Sequence, residues 1–152
     1  MILEVGIDEL INIYQGIRFC LNMGSPIKRP LIKTEEQIKE LLEKYNSSKN
    51  EIADKYLIKD EKGSPIQKDS SKAPEFMTDY MSNDEEEMVK ALDKLGEHIF
   101  MLDIDKVSPS RPVLVTKENE VTTEYTLEDF LELSGSVDSK VVVFLNKYFI
   151  ND

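Results

Sequence analysis

The chain has no tryptophan, one cysteine, one histidine and six glycines among 152 residues. With Cys20 as the single thiol, no intramolecular disulfide can form. With His98 as the single imidazole, no histidine pair exists, and no Cys/His cluster offers the ligand spacing of a zinc site. Gly-rich phosphate loops and nucleophile elbows are missing too: GxxxxGK[ST], GxGxxG and GxSxG do not occur. No window approaches eighteen apolar residues, and MILEVGIDEL lacks the basic start and long apolar run of a secretory signal. The expectation is an intracellular site of synthesis, with no membrane span. Positive charge is short as well. Nineteen Lys and Arg face thirty Asp and Glu, for a net charge of −11, and the whole imbalance falls after residue 50. Such a surface disfavours direct binding to nucleic acid or to anionic membrane, because phosphate binding needs a cationic footprint. It suits a basic protein partner or imitation of nucleic acid, and solubility alone is the plainer reading.

What is there is organised around one stretch, residues 30–59, PLIKTEEQIKELLEKYNSSKNEIADKYLIK. Leu31, Ile38, Tyr45 and Ile52 recur one heptad apart, with Leu41, Leu42, Lys49 and Tyr56 at companion positions, which predicts a single amphipathic helix. Glu35–Lys39, Glu40–Lys44 and Glu51–Lys55 sit at the favourable i,i+4 spacing. Pro30 suits the first helical turn, while Thr34 with Gln37 offers a competing capping box. Asn46-Ser47-Ser48 is the weak point, where a kink or break is expected if anywhere. Asp60 to Pro65 ends the helix, with Gly63 free to turn left-handed. The heptads invite a coiled-coil reading. Fewer than four clean repeats, with Lys49 in the seam, favour a helix packed within its own domain against the preceding one, with Leu42 among its most buried residues.

Around it, Ile2–Val5 reads as an edge strand, and Asp8 as the cap of a helix from Glu9 to about Asn22. A short link makes this helix and the central one an antiparallel hairpin. Cys20 falls on its apolar face as a core residue rather than a nucleophile. Residues 60–73 are polar and read as an exposed loop. Pro74 opens a helical pattern through Phe76, Met77, Tyr80 and Met81 that ends at Gly96; Ser82-Asn83-Asp84 offers a division into two helices, the second capped by Asn83 or Asp84. His98–Asp105 alternates as a strand, and Val113–Thr116 with Val121–Tyr125 forms a hairpin. Thr126 caps a short helix, Leu127 to Leu133, which Ser134-Gly135 stops. Residues 139–150 support two readings, a strand from three valines or a helix capped by Asp138 with Val141, Phe144, Leu145 and Tyr148 on one face. The expected fold is one α+β domain over residues 1–152, mostly helical, its N-terminal antiparallel helical hairpin packed with a small antiparallel sheet.

Carboxylates are the only abundant chemistry. Asp103 and Asp105 share one side of a strand and are the metal candidates; Asp84, Glu85, Glu86 and Glu87 gather at a helix start, where the macrodipole favours acids, and are candidates for a protein contact. For each, a solvated charge is the plain alternative. No catalytic residue and no cofactor-binding residue is assigned, and no cofactor is expected.

The order of features resembles an uncharacterised family of small proteins from tailed bacteriophages. ELINIYQGIRFCL, SPIKRP, IKELLEKY and DKYLIKDEKGSPI carry the likeness in the N-terminal half. Glu75-Phe76, a β-prone stretch after it and LEDFLELSG before a closing helix carry it in the remainder. The chain departs from the pattern in an insertion around Val113–Tyr125 and in Pro30. The resemblance implies a phage origin and a small protein without known catalysis; it transfers no functional residue, and it decides for a closing helix. The functional expectation is a non-enzymatic interaction protein, a virion component or assembly factor, located in the host cytoplasm or the virion, with protein partners and room for an oligomer. The alternative is an acidic inhibitor of a host defence or nucleic-acid enzyme.

Overall fold

In the computed structural model, residues 1–133 and 135–151 are described. They form strand β1 (Ile2–Val5), helices α1 (Ile7–Asn22), α2 (Arg29–Tyr56) and α3 (Glu85–Gly96), strands β2 (Phe100–Asp103), β3 (Pro112–Thr116) and β4 (Thr122–Thr126), and helices α4 (Leu127–Glu132) and α5 (Ser139–Tyr148). The class is α+β. The strands make two separate antiparallel pairs, β1 with β2 and β3 with β4, in place of one small sheet. The chain divides into two compact units, one of residues 1–39 with 100–152 and one of residues 40–99, so that α2 contributes to both.

The first unit holds most of the buried apolar side chains. β1 pairs with β2 so that Val5 lies opposite Phe100 and Leu3 opposite Leu102, and Val5, Phe100 and Leu102 face inward. In α1, Leu10, Ile13, Ile17 and Cys20 keep helical spacing and are wholly buried. In α5, Val141, Leu145 and Tyr148 do the same. The closing segment is therefore a helix. Asp138 caps it by accepting the Lys140 N–H at 2.8 Å. Thr126 caps α4 in the expected way, its hydroxyl accepting the Asp129 N–H at 3.1 Å. Ser134, expected to help end α4, lies outside the described residues; Gly135 takes a positive φ of 76°.

Several expectations change. α1 begins one turn's edge earlier, at Ile7 with Gly6 in the capping position, and Asp8 lies in its first turn instead of capping it. α2 starts at Arg29, which uses Pro30 and leaves Thr34 buried inside the helix. It then runs without a break through Asn46-Ser47-Ser48. Those three residues lose only a few tenths of a kcal/mol each against good helix formers, and the flanking Leu, Glu and Lys residues offset that. Leu42 is only half-buried. The fully buried apolar positions of α2 are Leu31 and Ile38, both in the first unit.

The second unit is built from the rest of α2, α3 and the chain between them. Residues 74–81 are not a helix. A single 3₁₀ turn, Met77–Asp79, is followed by extended chain, and Met81 N–H bonds Ile66 C=O while Lys68 N–H bonds Asp79 C=O. The expected exposed loop thus has partners: bridges pair Leu57 with Ser82, Lys59 with Pro65 and Gln67 with Tyr80. The apolar residues at helical spacing were outcompeted because Asp79 accepts the Glu75 and Phe76 N–H groups, fixing a turn where a helix would have propagated. Gly63 turns left-handed as expected, with φ 82°. Of the two caps offered by the sequence, Asn83 and Asp84, it is Asp84 that starts α3, accepting the Glu87 N–H at 3.1 Å. Among the described residues no helix is long and apolar enough to cross a membrane.

Candidate functional site

An open apolar surface of the first unit lies along α1 and α5. Burying Val141, Leu145 and Tyr148 turns the opposite side of α5 outward, and Val143, an apolar residue on that side, is 68% exposed. Phe144 lies between the two faces. Its ring reaches α1 exactly at Gly16, where an added Cβ would sit 2.2 Å from the ring. Glycine is therefore required at that position to seat the ring. Phe144 stacks obliquely on Tyr148 and Phe149, with centroids 5.2 and 5.9 Å away. Tyr148 donates its hydroxyl to Glu9 at 3.2 Å. The result is a groove of about 410 Å³ with Val143 and Phe144 as its floor and Asn12, Ser139, Lys140, Lys147 and Tyr148 around them. Lys147 lies over the Tyr148 ring at 5.0 Å, and the neighbouring Tyr148 side chain raises its pKa. Residues 139–151 contain two lysines and no acid, in a chain whose net charge is −11. The chemistry of this groove suits an apolar side chain flanked by acceptors or acids.

The residues expected to carry function are dispersed. Of the acids at the start of α3, Glu85 pairs with Lys68, while Glu86 and Glu87 lie 3.6 and 3.4 Å from Lys90. Asp84 is occupied by its capping bond. Asp103 lies 3.4 Å from the Met1 amino group, and its backbone is gripped by the Gln37 side chain through bonds of 2.8 and 3.2 Å. Asp105 pairs with Lys33 at 2.7 Å, and that bond holds its carboxyl below the usual aspartate range. Each of the two aspartates thus has its own cation. Among the described residues no three His, Cys, Asp or Glu side chains gather into a set that could hold a metal ion. Cys20 is fully buried, and burial pushes its thiol up to about 11, so at neutral pH it is not a thiolate nucleophile.

One ionic cluster escaped the sequence reading. Glu35 on α2 is 8% exposed, with one carboxylate oxygen 3.0 Å from Lys39 and 3.7 Å from Arg18 of α1, while its other oxygen is buried with no hydrogen-bond partner among the described residues. The i,i+4 spacing predicted the Lys39 half of this cluster. Nothing in the sequence predicted burial of the carboxylate, which follows from Leu31, Thr34 and Ile38 facing inward beside it.

The second unit carries a groove of about 450 Å³ between its two helices. Ser48, Glu51, Ile52, Lys55 and Tyr56 of α2 line one wall, and Ala91, Lys94 and Leu95 of α3, with His98 beyond it, line the other. Both grooves have a signal in the sequence: an apolar Val143 outside the buried stripe of α5, and a heptad in α2 longer than one unit can cover. Comparison with protein-family models, with curated proteins and with solved structures finds no match to this chain.

Proposed function

We propose that this is a non-enzymatic interaction protein, a virion component or assembly factor of a tailed bacteriophage that works in the host cytoplasm or in the particle. The observation that carries the reading is the α1–α5 groove. Its floor holds Val143, an apolar side chain two-thirds exposed, beside the Phe144 ring that packs on Gly16, and its rim carries two lysines within an acidic chain. Such a surface gains free energy by being covered, at about 25 cal/mol for each Å² of apolar area removed from water. The phage assignment rests on the resemblance of the α1 and α2 segments and of LEDFLELSG, and gene neighbourhood beside capsid or tail genes would support it. The pairing of Glu85, Glu86 and Glu87 with lysines weighs against a phosphate-like acid array, which would need those charges free.

The test is affinity capture from infected cells read by mass spectrometry, followed by binding measurements on the purified pair. Val143→Asp should weaken binding at least tenfold while leaving the circular dichroism spectrum unchanged, because Val143 is mostly in solvent. Binding should weaken only a few-fold between 50 and 500 mM salt, since the apolar floor is not screened and only the two rim lysines are. A complex that weakens steeply with salt and is lost on Glu85→Lys with Glu86→Lys would replace this reading by the acidic inhibitor. A rise in melting temperature with Mg²⁺ or Mn²⁺ that Asp103→Asn removes would replace it by a metal-dependent activity.

A further inference from the structure

The stripe of α2 does not end where its full burial ends. Leu31 and Ile38 are wholly buried, whereas Leu41, Leu42, Tyr45, Ile52 and Tyr56 are each half-buried, and Ile52 and Tyr56 floor the open groove beside α3. We infer that this groove is a homodimer interface, with α2 of a second copy lying antiparallel across it.

A second copy is singled out because the stretch complements itself. Tyr45 and Ile52 occupy one heptad position and Leu41, Ser48 and Lys55 the other, and antiparallel pairing sets each position against the opposite one. In the register where Leu41 meets the partner's Ile52, Tyr45 meets the partner's Ser48, a large side chain against a small one near the twofold axis. That register also brings Lys44 alongside the partner's Glu51, and by symmetry Glu51 alongside the partner's Lys44. Both side chains are exposed, and Lys44 lies only loosely, at 3.9 Å, from Glu40 of its own helix. Charge permits the pairing here. Residues 40–56 contain four acids and three lysines, so the stretch itself is nearly neutral even though each copy carries −11 overall. The stretch is about 25 Å long, and covering it with the adjoining edge of α3 removes on the order of 1,000 Å² in total. That lies at the small end of specific interfaces, so the dimer should be weak and concentration-dependent.

Sedimentation velocity of the full chain tests this. The mass should rise from 17.5 kDa toward twice that value between about 1 and 200 μM. Glu51→Lys should weaken dimerisation about tenfold, and adding Lys44→Glu to it should restore association, an outcome that requires the antiparallel register and cannot come from misfolding. Ser48→Cys should form an intermolecular disulfide under mild oxidation much faster than Asn50→Cys on the far side of the helix, with the buried Cys20 as a silent background. A monomer at 200 μM, a dimer indifferent to Glu51→Lys, or equal cross-linking at the two positions would each overturn the inference.

Discussion

Gly16 and Phe144 show how much one side chain's absence can decide. In an exposed helix, Gly→Ala gains up to about 1 kcal/mol from backbone entropy. Here the added methyl would fall 2.2 Å from the Phe144 ring, well inside contact distance. Gly16→Ala should therefore destabilise the protein by about 1–3 kcal/mol, as overpacking does elsewhere, and urea unfolding would measure it. A stabilised variant would mean that the ring moves aside freely and that the groove floor is soft. Asp79 makes the corresponding case for charge. Two backbone N–H groups, from Phe76 and Glu75, hold its carboxyl below the ordinary value of 3.8. A depressed folded pKa means that its contribution is fully present above the ordinary value and is lost as pH falls through the depressed one. The turn at 74–80 should therefore stay ordered down to about pH 4 and loosen below it. A carboxyl-carbon NMR titration should place the Asp79 midpoint below 3.8, and a midpoint at or above it would remove this explanation of why the segment is not helical.

At the scale of elements, α2 combines two environments in one continuous helix. Ile38 is fully buried and Leu42, one turn later, is not. Ile38→Ala should cost about 2–4 kcal/mol through transfer and cavity terms together. Leu42→Ala should cost roughly 1 kcal/mol, because a half-exposed side chain forfeits only part of its transfer free energy. Thermal or urea unfolding of the two variants side by side would check the difference, and equal losses would mean that the half-buried stripe is covered in solution. The caps of α3, α4 and α5 were all legible, since Asp84, Thr126 and Asp138 each precede an apolar period and each accepts a nearby N–H. The segment 74–81 was not legible as a turn. Its apolar spacing fits a helix, and the competing bonds come from Asp79 and from Ile66 and Lys68, the latter two more than ten residues away.

For the whole molecule, composition and local pattern determined a great deal by themselves. The lone Cys20 and lone His98 follow from counting, and the α+β class follows from two periodicities alternating along the chain, 3.6 in five helices and 2 in the strands. The hairpin of β3 and β4 and every helix longer than ten residues stand close to where their patterns put them. What only the tertiary structure decided is how far each apolar face is covered. A heptad specifies which side of α2 is apolar, but identical stripes end as a sealed core at Ile38 and an open groove at Ile52, depending on what the remainder of each unit supplies. The same holds for charge. The sequence placed Glu35 four residues from Lys39, while its burial, its second cation Arg18 and its unmet oxygen arise from how α2 packs against α1 and the rest of the core. Local spacing sets the direction in which a side chain points, and burial is a sum over neighbours that spacing along one element does not contain.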